Sequence, residues 1–159
     1  MGNGDPIERL RRHWLSTGIR VRSGVPVHEV EAFERRYQVH LPADFRWYFT
    51  ALDGMEQGEA DPEMFSFLPL RLVRPIPEEL AQFAGIPDYS EIMETLPEPH
   101  RWFVFVDYLI FSAVYAIRLS ASAEGTPVIW IGHGRHHRIM ASSFSSFMET
   151  YLANPCALL

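Results

Sequence analysis

The chain has 159 residues, 47% of them hydrophobic, and a formal net charge of −6. That length suits one domain with a sizeable core, spanning 1–159, and the composition excludes wholesale disorder. All 14 basic residues are arginine, which excludes Schiff-base catalysis and any phosphate loop that depends on lysine.

No apolar run reaches the roughly 18–20 residues of a membrane span, and the start, "MGNGDPIERLRRHW", lacks the apolar core of a secretory signal. A single cysteine, Cys156, leaves no disulfide within the chain, so a cytoplasmic location is expected. The arginines are scattered rather than striped, which argues against direct nucleic-acid binding. An acidic surface suits a basic protein partner, although −6 also simply favours solubility.

The first helix is expected over Asp5–Ser16. Asp5 caps it, Pro6 suits its first turn, and Ile7, Leu10 and Trp14 share a face. Arg9, Arg11 and Arg12 lie off that stripe and read as a solvated side. The second helix opens at Pro26, with Val27, Val30, Phe33 and Tyr37 at helical spacing. Glu29 and Glu31 near its start and Arg35 and Arg36 near its end suit the helix dipole.

A third helix follows "LP". Pro42 presets its first turn, Asp44 sits beside the free N–H groups there, and Phe45, Tyr48, Phe49 and Leu52 form one stripe. Asp53-Gly54 reads as its stop, through a left-handed glycine. Trp47 falls off the stripe.

Residues 55–64 read as a polar, acidic loop. "FSFLPL" reads as a strand, and the proline-rich stretch after it as one or two short helices near Glu78–Phe83 and Tyr89–Thr95. Strands are expected at Trp102–Asp107 and Ile110–Arg118, then a hairpin of "PVIWIG" and "HRIMA" around "HGRH". A closing helix carries Phe144, Phe147, Met148, Tyr151 and Leu152, capped by Ser142 or Ser143. The order predicts an α+β single domain, with N-terminal helices and a C-terminal helix around a mostly antiparallel, twisted sheet of about four to six strands.

"VHEVEAFERRYQVHLPADFRWYFTALDGM" resembles the SUKH superfamily, best known through yeast cell-wall assembly regulators of the Smi/Knr type. The shared features are a glutamate in an amphipathic helix, a later Leu-Pro, an acidic–aromatic helix start and a closing Asp-Gly. They match Glu34, Leu41, Pro42, Asp44, Phe45, Asp53 and Gly54. The resemblance extends to "FSFLPL", "WFVFVD" and the final hairpin and helix, where Ser143 and Phe144 match, over about residues 20–153. The chain departs from it at the apolar, glycine-free "DYLIFSAVYAI" and at Gly54-Met55, where Gly-Gly is usual.

The resemblance implies a non-catalytic protein-binding domain without a cofactor, as a monomer or weak homodimer, and above all a bacterial immunity protein that neutralises a cognate toxin. The alternative is a regulatory or scaffold module binding an endogenous protein. Contacts are expected at Glu56, Glu59, Asp61 and Glu63, with Trp47 and Trp102 as aromatic anchors, on an exterior without a groove. "YLIF", Tyr108–Phe111, reads as a core strand; exposed, it marks a partner or dimer surface.

Enzymatic alternatives find less support. His133, His136 and His137 are candidate zinc ligands, but neighbouring strand residues point to opposite faces and no carboxylate stands nearby, so a polar hairpin tip ranks above a metal site. No Gly-x-Ser-x-Gly occurs, and Cys156 lies past the last helix with nothing to activate it.

Overall fold

The computed structural model describes residues 4–81, 89 and 91–159, and these fold as an α+β domain. The helices are α1 (Pro6–Ser16), α2 (Val27–Tyr37), α3 (Ala43–Ala51), α4 (Ile76–Leu80), α5 (Ile92–Thr95) and α6 (Phe144–Ala153). The strands are β1 (Phe65–Phe67), β2 (Arg74–Pro75), β3 (Trp102–Tyr108), β4 (Ala113–Arg118), β5 (Val128–Ile131) and β6 (His137–Ala141). The helices expected near Glu78–Phe83 and Tyr89–Thr95 are α4 and α5 in shorter form; residues 82–88 and 90 lie outside the described residues.

All strand pairings are antiparallel. β1 and β2 both pair with β3, and β4, β5 and β6 follow in order. Successive residues of β3 and β4 are buried almost throughout, so the centre of the sheet is covered on both faces. β6 is the exposed edge, with Ile139 72% accessible.

Aromatic rings join sheet to helices. Phe103 meets Phe33 and Tyr37 of α2, and Phe105 meets Phe45 of α3 and Phe144 and Phe147 of α6. Phe67 packs on Trp14 of α1 and Tyr151 of α6. Each such buried ring contributes about 1.5–3 kcal/mol by transfer from water. Phe105 falls where the β3–β4 register slips between Val104 and Val106. Such a bulge re-aims a strand locally.

Several local expectations are corrected. Helix α3 stops at Ala51, with Leu52 already extended, so Gly54 does not close it. Gly54, at φ 66°, is required for another reason: a Cβ there would stand 2.7 Å from the backbone of Phe67 and Leu68. Val27 is exposed and outside the core. Arg9 and Arg11 are struts rather than a solvated side: Arg9 pairs with Glu149 of α6 at 2.8 Å, and Arg11 donates to the Ala51 carbonyl at 3.2 Å. β4 starts at Ala113 rather than Ile110, because Tyr108 already pairs with Ala113 and 109–112 must turn between them.

Candidate functional site

The loop after α3 is fastened at both ends. At its start Met55 N–H donates to the Phe67 carbonyl at 2.8 Å. At its end the buried Asp61 accepts from Phe65 N–H at 2.9 Å and from the Tyr151 hydroxyl, which itself accepts from Trp14 Nε1 at 3.2 Å. Between those anchors, 56–60 stand as one wall of a cavity of about 610 Å³. Leu68, Leu72, Arg74 and Glu79 supply more of its lining, and Asp107, Ile110 and Phe111 come from the β3–β4 turn. The expectation of an exterior without a groove is thereby corrected.

The turn is unusual in its backbone. Leu109, Ile110 and Phe111 have φ of 49°, 53° and 61°, three consecutive side-chain-bearing residues in left-handed conformation. Each costs about 1–2 kcal/mol relative to the right-handed form. Hydrogen bonds hold it there: Leu109 N–H to the Met64 carbonyl (3.0 Å), Phe111 N–H to Asp107 Oδ1 (3.3 Å), and the Tyr89 hydroxyl to the Phe111 carbonyl (2.5 Å). Ile110 is left 82% exposed. Of "YLIF", Tyr108 therefore ends β3, while Leu109, Ile110 and Phe111 form a turn from which Ile110 protrudes.

Among the described residues, the cavity lining combines the carboxylates of Glu56, Glu59, Glu79 and Asp107 with the guanidinium of Arg74. Arg22 pairs with Glu56 at 3.0 Å. Glu59 accepts from Arg20 N–H at 3.3 Å through Oε1, while its Oε2 is buried without a hydrogen-bond partner among the described residues. Burial pushes the Asp107 carboxyl up to about 6, against hydrogen bonds from Phe111 and Ser66 that favour its ionised form. Between them lie the apolar side chains of Met55, Met64, Leu68 and Phe111.

Away from the cavity, Glu34 ties α2 to α3. It is buried on α2, and its Oε2 accepts from Leu41 N–H at 3.1 Å and meets His40 Nδ1 at 2.9 Å, while Oε1 pairs with Arg46. Asp53 is also buried, with Oδ1 accepting from Leu70 N–H at 2.7 Å and Oδ2 paired with Arg22 at 3.2 Å. This framework coincides with a family model, described as SMI1 / KNR4 family (SUKH-1), that matches residues 24–150. The chain belongs to the SMI1 / KNR4 family (SUKH-1). A search of curated proteins finds no match to it.

In this SUKH-1 chain the motif residues are struts of the fold. Leu41, Pro42 and Phe45 are buried, and Asp44 and Ser143 cap helix α6. Phe144 packs on Phe45, Tyr48 and Phe105.

The expected partner contacts divide. Glu56 and Glu59 line the cavity, and Glu63 is exposed in the same loop. Trp47 is 53% exposed on α3, its Nε1 donating to Asp5 at 3.3 Å. Asp61 and Trp102 are corrected: both are buried, Asp61 against Tyr151 and Trp102 with Nε1 donating to the Pro97 carbonyl at 3.2 Å. Each spends its polar atoms inside the fold.

The histidines sit apart from the cavity, exposed at the β5–β6 tip. Among the described residues no group of three or more His, Cys, Asp or Glu is placed to hold a metal. No helix among them is long and apolar enough to cross a membrane. Sequence reasoning missed Asp107, Ile110 and Phe111 as cavity residues. Their signal was the absence of glycine in an apolar turn, which reads equally as a strand.

Proposed function

We propose that this SUKH-1 chain is a non-catalytic protein-binding domain acting in the cytoplasm as an immunity protein, which neutralises a cognate toxin by covering it. Family membership over residues 24–150 is the observation that carries this reading. The charge of −6, the half-exposed Glu56 and Glu59 and the exposed Glu63 support it, because a negative surface attracts the basic groove of a nucleic-acid-degrading toxin and speeds encounter. Glu56, Glu59 and Glu63 would supply charge, and Trp47 an aromatic anchor of the kind that dominates interface energies.

The test is co-expression with the toxin encoded beside this gene. Restored growth and a complex that co-purifies are expected. Continued killing together with no complex overturns the reading and leaves the family's other role, binding an endogenous regulatory partner, as the one to pursue.

A further inference from the structure

We infer that the cavity between the 55–64 loop and the β3–β4 turn is the docking socket, and that its occupant is an arginine side chain on a partner protein's loop. This deepens the immunity reading and rests on it for the partner's class, though not for the chemistry of the socket.

The exposed turn supplies the first argument. A β-branched residue in left-handed conformation is a genuine outlier, and Ile110 has φ 53° while 82% exposed. Such a side chain adds little to the core and strains the backbone. Strain of this kind persists where the surroundings hold it and clusters at sites that act on other molecules. Here Met64, Asp107 and Tyr89 hold the turn with Ile110 at the mouth of the cavity.

Charge and shape choose the occupant. Among the described residues Glu56, Glu59, Glu79 and Asp107 line it against Arg74, with Arg22 paired to Glu56, so the lining stays negative, and Met55, Met64, Leu68 and Phe111 make part of it apolar. An arginine fits that combination. Its methylene stem lies on apolar surface while its planar guanidinium offers several N–H donors to carboxylates. Glu59 adds its negative charge to the lining while Oε1 accepts from Arg20 N–H and Oε2 is closed to solvent. Ile110 then packs against the apolar neighbours of that arginine on the partner's loop.

Acetyl-arginine amide is the direct probe, with acetyl-citrulline amide as its uncharged near-isostere. The intact protein, carrying labelled methionine and isoleucine methyl groups, is titrated with each by NMR. Acetyl-arginine amide should shift Met55, Met64 and Ile110 at millimolar concentration, at least about ten-fold more tightly than the citrulline compound, since one charge-assisted contact amounts to about a factor of ten or more.

The double variant Glu56→Gln/Glu59→Gln should erase the difference between the two compounds, and Glu31→Gln, exposed on α2 and outside the lining, should leave the binding of acetyl-arginine amide within about two-fold. In parallel, Ile110→Ser, which adds no charge, should weaken a complex with the neighbouring toxin by about ten-fold or more, because it removes the apolar contact at the mouth. Equal response to the two compounds, no response, or shifts confined to other methyl groups overturns the socket, even where the toxin is neutralised. Selective arginine binding without toxin neutralisation keeps the socket and rejects the immunity reading.

Discussion

Asp44 of α3 caps a helix that begins a hundred residues later: its Oδ2 accepts from Ser145 N–H at 2.8 Å and from Ser145 Oγ at 2.7 Å. Its other oxygen accepts from Phe45 N–H at 2.8 Å. One carboxylate thus serves the starts of two helices and fixes how α6 meets α3. Ser143 completes the second start by accepting from Ser146 N–H at 3.1 Å.

Asp44→Ala is therefore expected to cost about 1–3 kcal/mol, a lost cap plus a lost tie between elements. Asp44→Asn, which keeps an acceptor, should lose less than half of that. Urea denaturation of the three proteins measures the difference.

Tyr151 donates to Asp61 and accepts from Trp14, so Tyr151→Phe leaves a buried carboxylate oxygen and a buried indole N–H unpaired. A loss of about 1–3 kcal/mol is expected. Burial already raises the Asp61 pKa, and the Tyr151 hydrogen bond opposes that rise. Removing it should lift the Asp61 pKa further, so the loss grows as pH rises and Asp61 ionises. Carboxyl NMR titration follows the change directly.

Gly18 and Gly54 both have positive φ, 84° and 66°. An added Cβ meets nothing within 4 Å at Gly18 but stands 2.7 Å from the Phe67 and Leu68 backbone at Gly54. Gly18→Ala should cost about 1 kcal/mol for the left-handed backbone alone. Gly54→Ala adds a clash with main chain that cannot rotate away, and its melting temperature should fall at least twice as far.

Asp107 gives the stability a pH dependence of definite sign. Its folded pKa, about 6, lies above the ordinary 3.8 because burial disfavours the charged form. The folded state holds this proton more tightly than the unfolded one, so the contribution of Asp107 to stability is greatest below about pH 4 and falls as pH rises toward 6. Asp107→Asn, which keeps an acceptor for Phe111 N–H, removes that decline. The variant should gain on the parent between pH 4 and 7 by about 1–3 kcal/mol, discounted for the group's partial solvation. Asp53 and Asp61, also raised by burial, are common to both proteins and cancel in the comparison.

Ile110 offers a test of strain that is independent of any partner. Asparagine tolerates the left-handed region far better than isoleucine, and little buried contact is lost at a position 82% exposed. Ile110→Asn should leave the fold unchanged and raise stability by about 0.5–1 kcal/mol. A melting temperature below that of the parent would show that the side chain supports the fold after all.

Much of the fold was legible because its signals are local. The stripe of Phe45, Tyr48 and Phe49 follows from helical period, and all three are buried. Asp5 accepts from Ile7 N–H two residues away, so sequence neighbours suffice to identify that cap. The strand at Phe65–Phe67 and the β5–β6 hairpin follow from composition and turn residues in the same way.

Function-bearing detail was less legible. Asp61 reads as one more acid of a polar loop until Tyr151, 90 positions away, arrives beside it. "YLIF" carries apolar residues that suit a strand, and only the pairing of Tyr108 with Ala113 forces them into a turn.

The sequence by itself determined the family, the α+β class and the faces that meet in the core, since periodicity and capping act within a few residues. Tertiary structure alone decided which acids are buried struts and which line a cavity. A carboxylate's solvation and partners depend on chain segments far away in sequence, and no local pattern encodes their meeting.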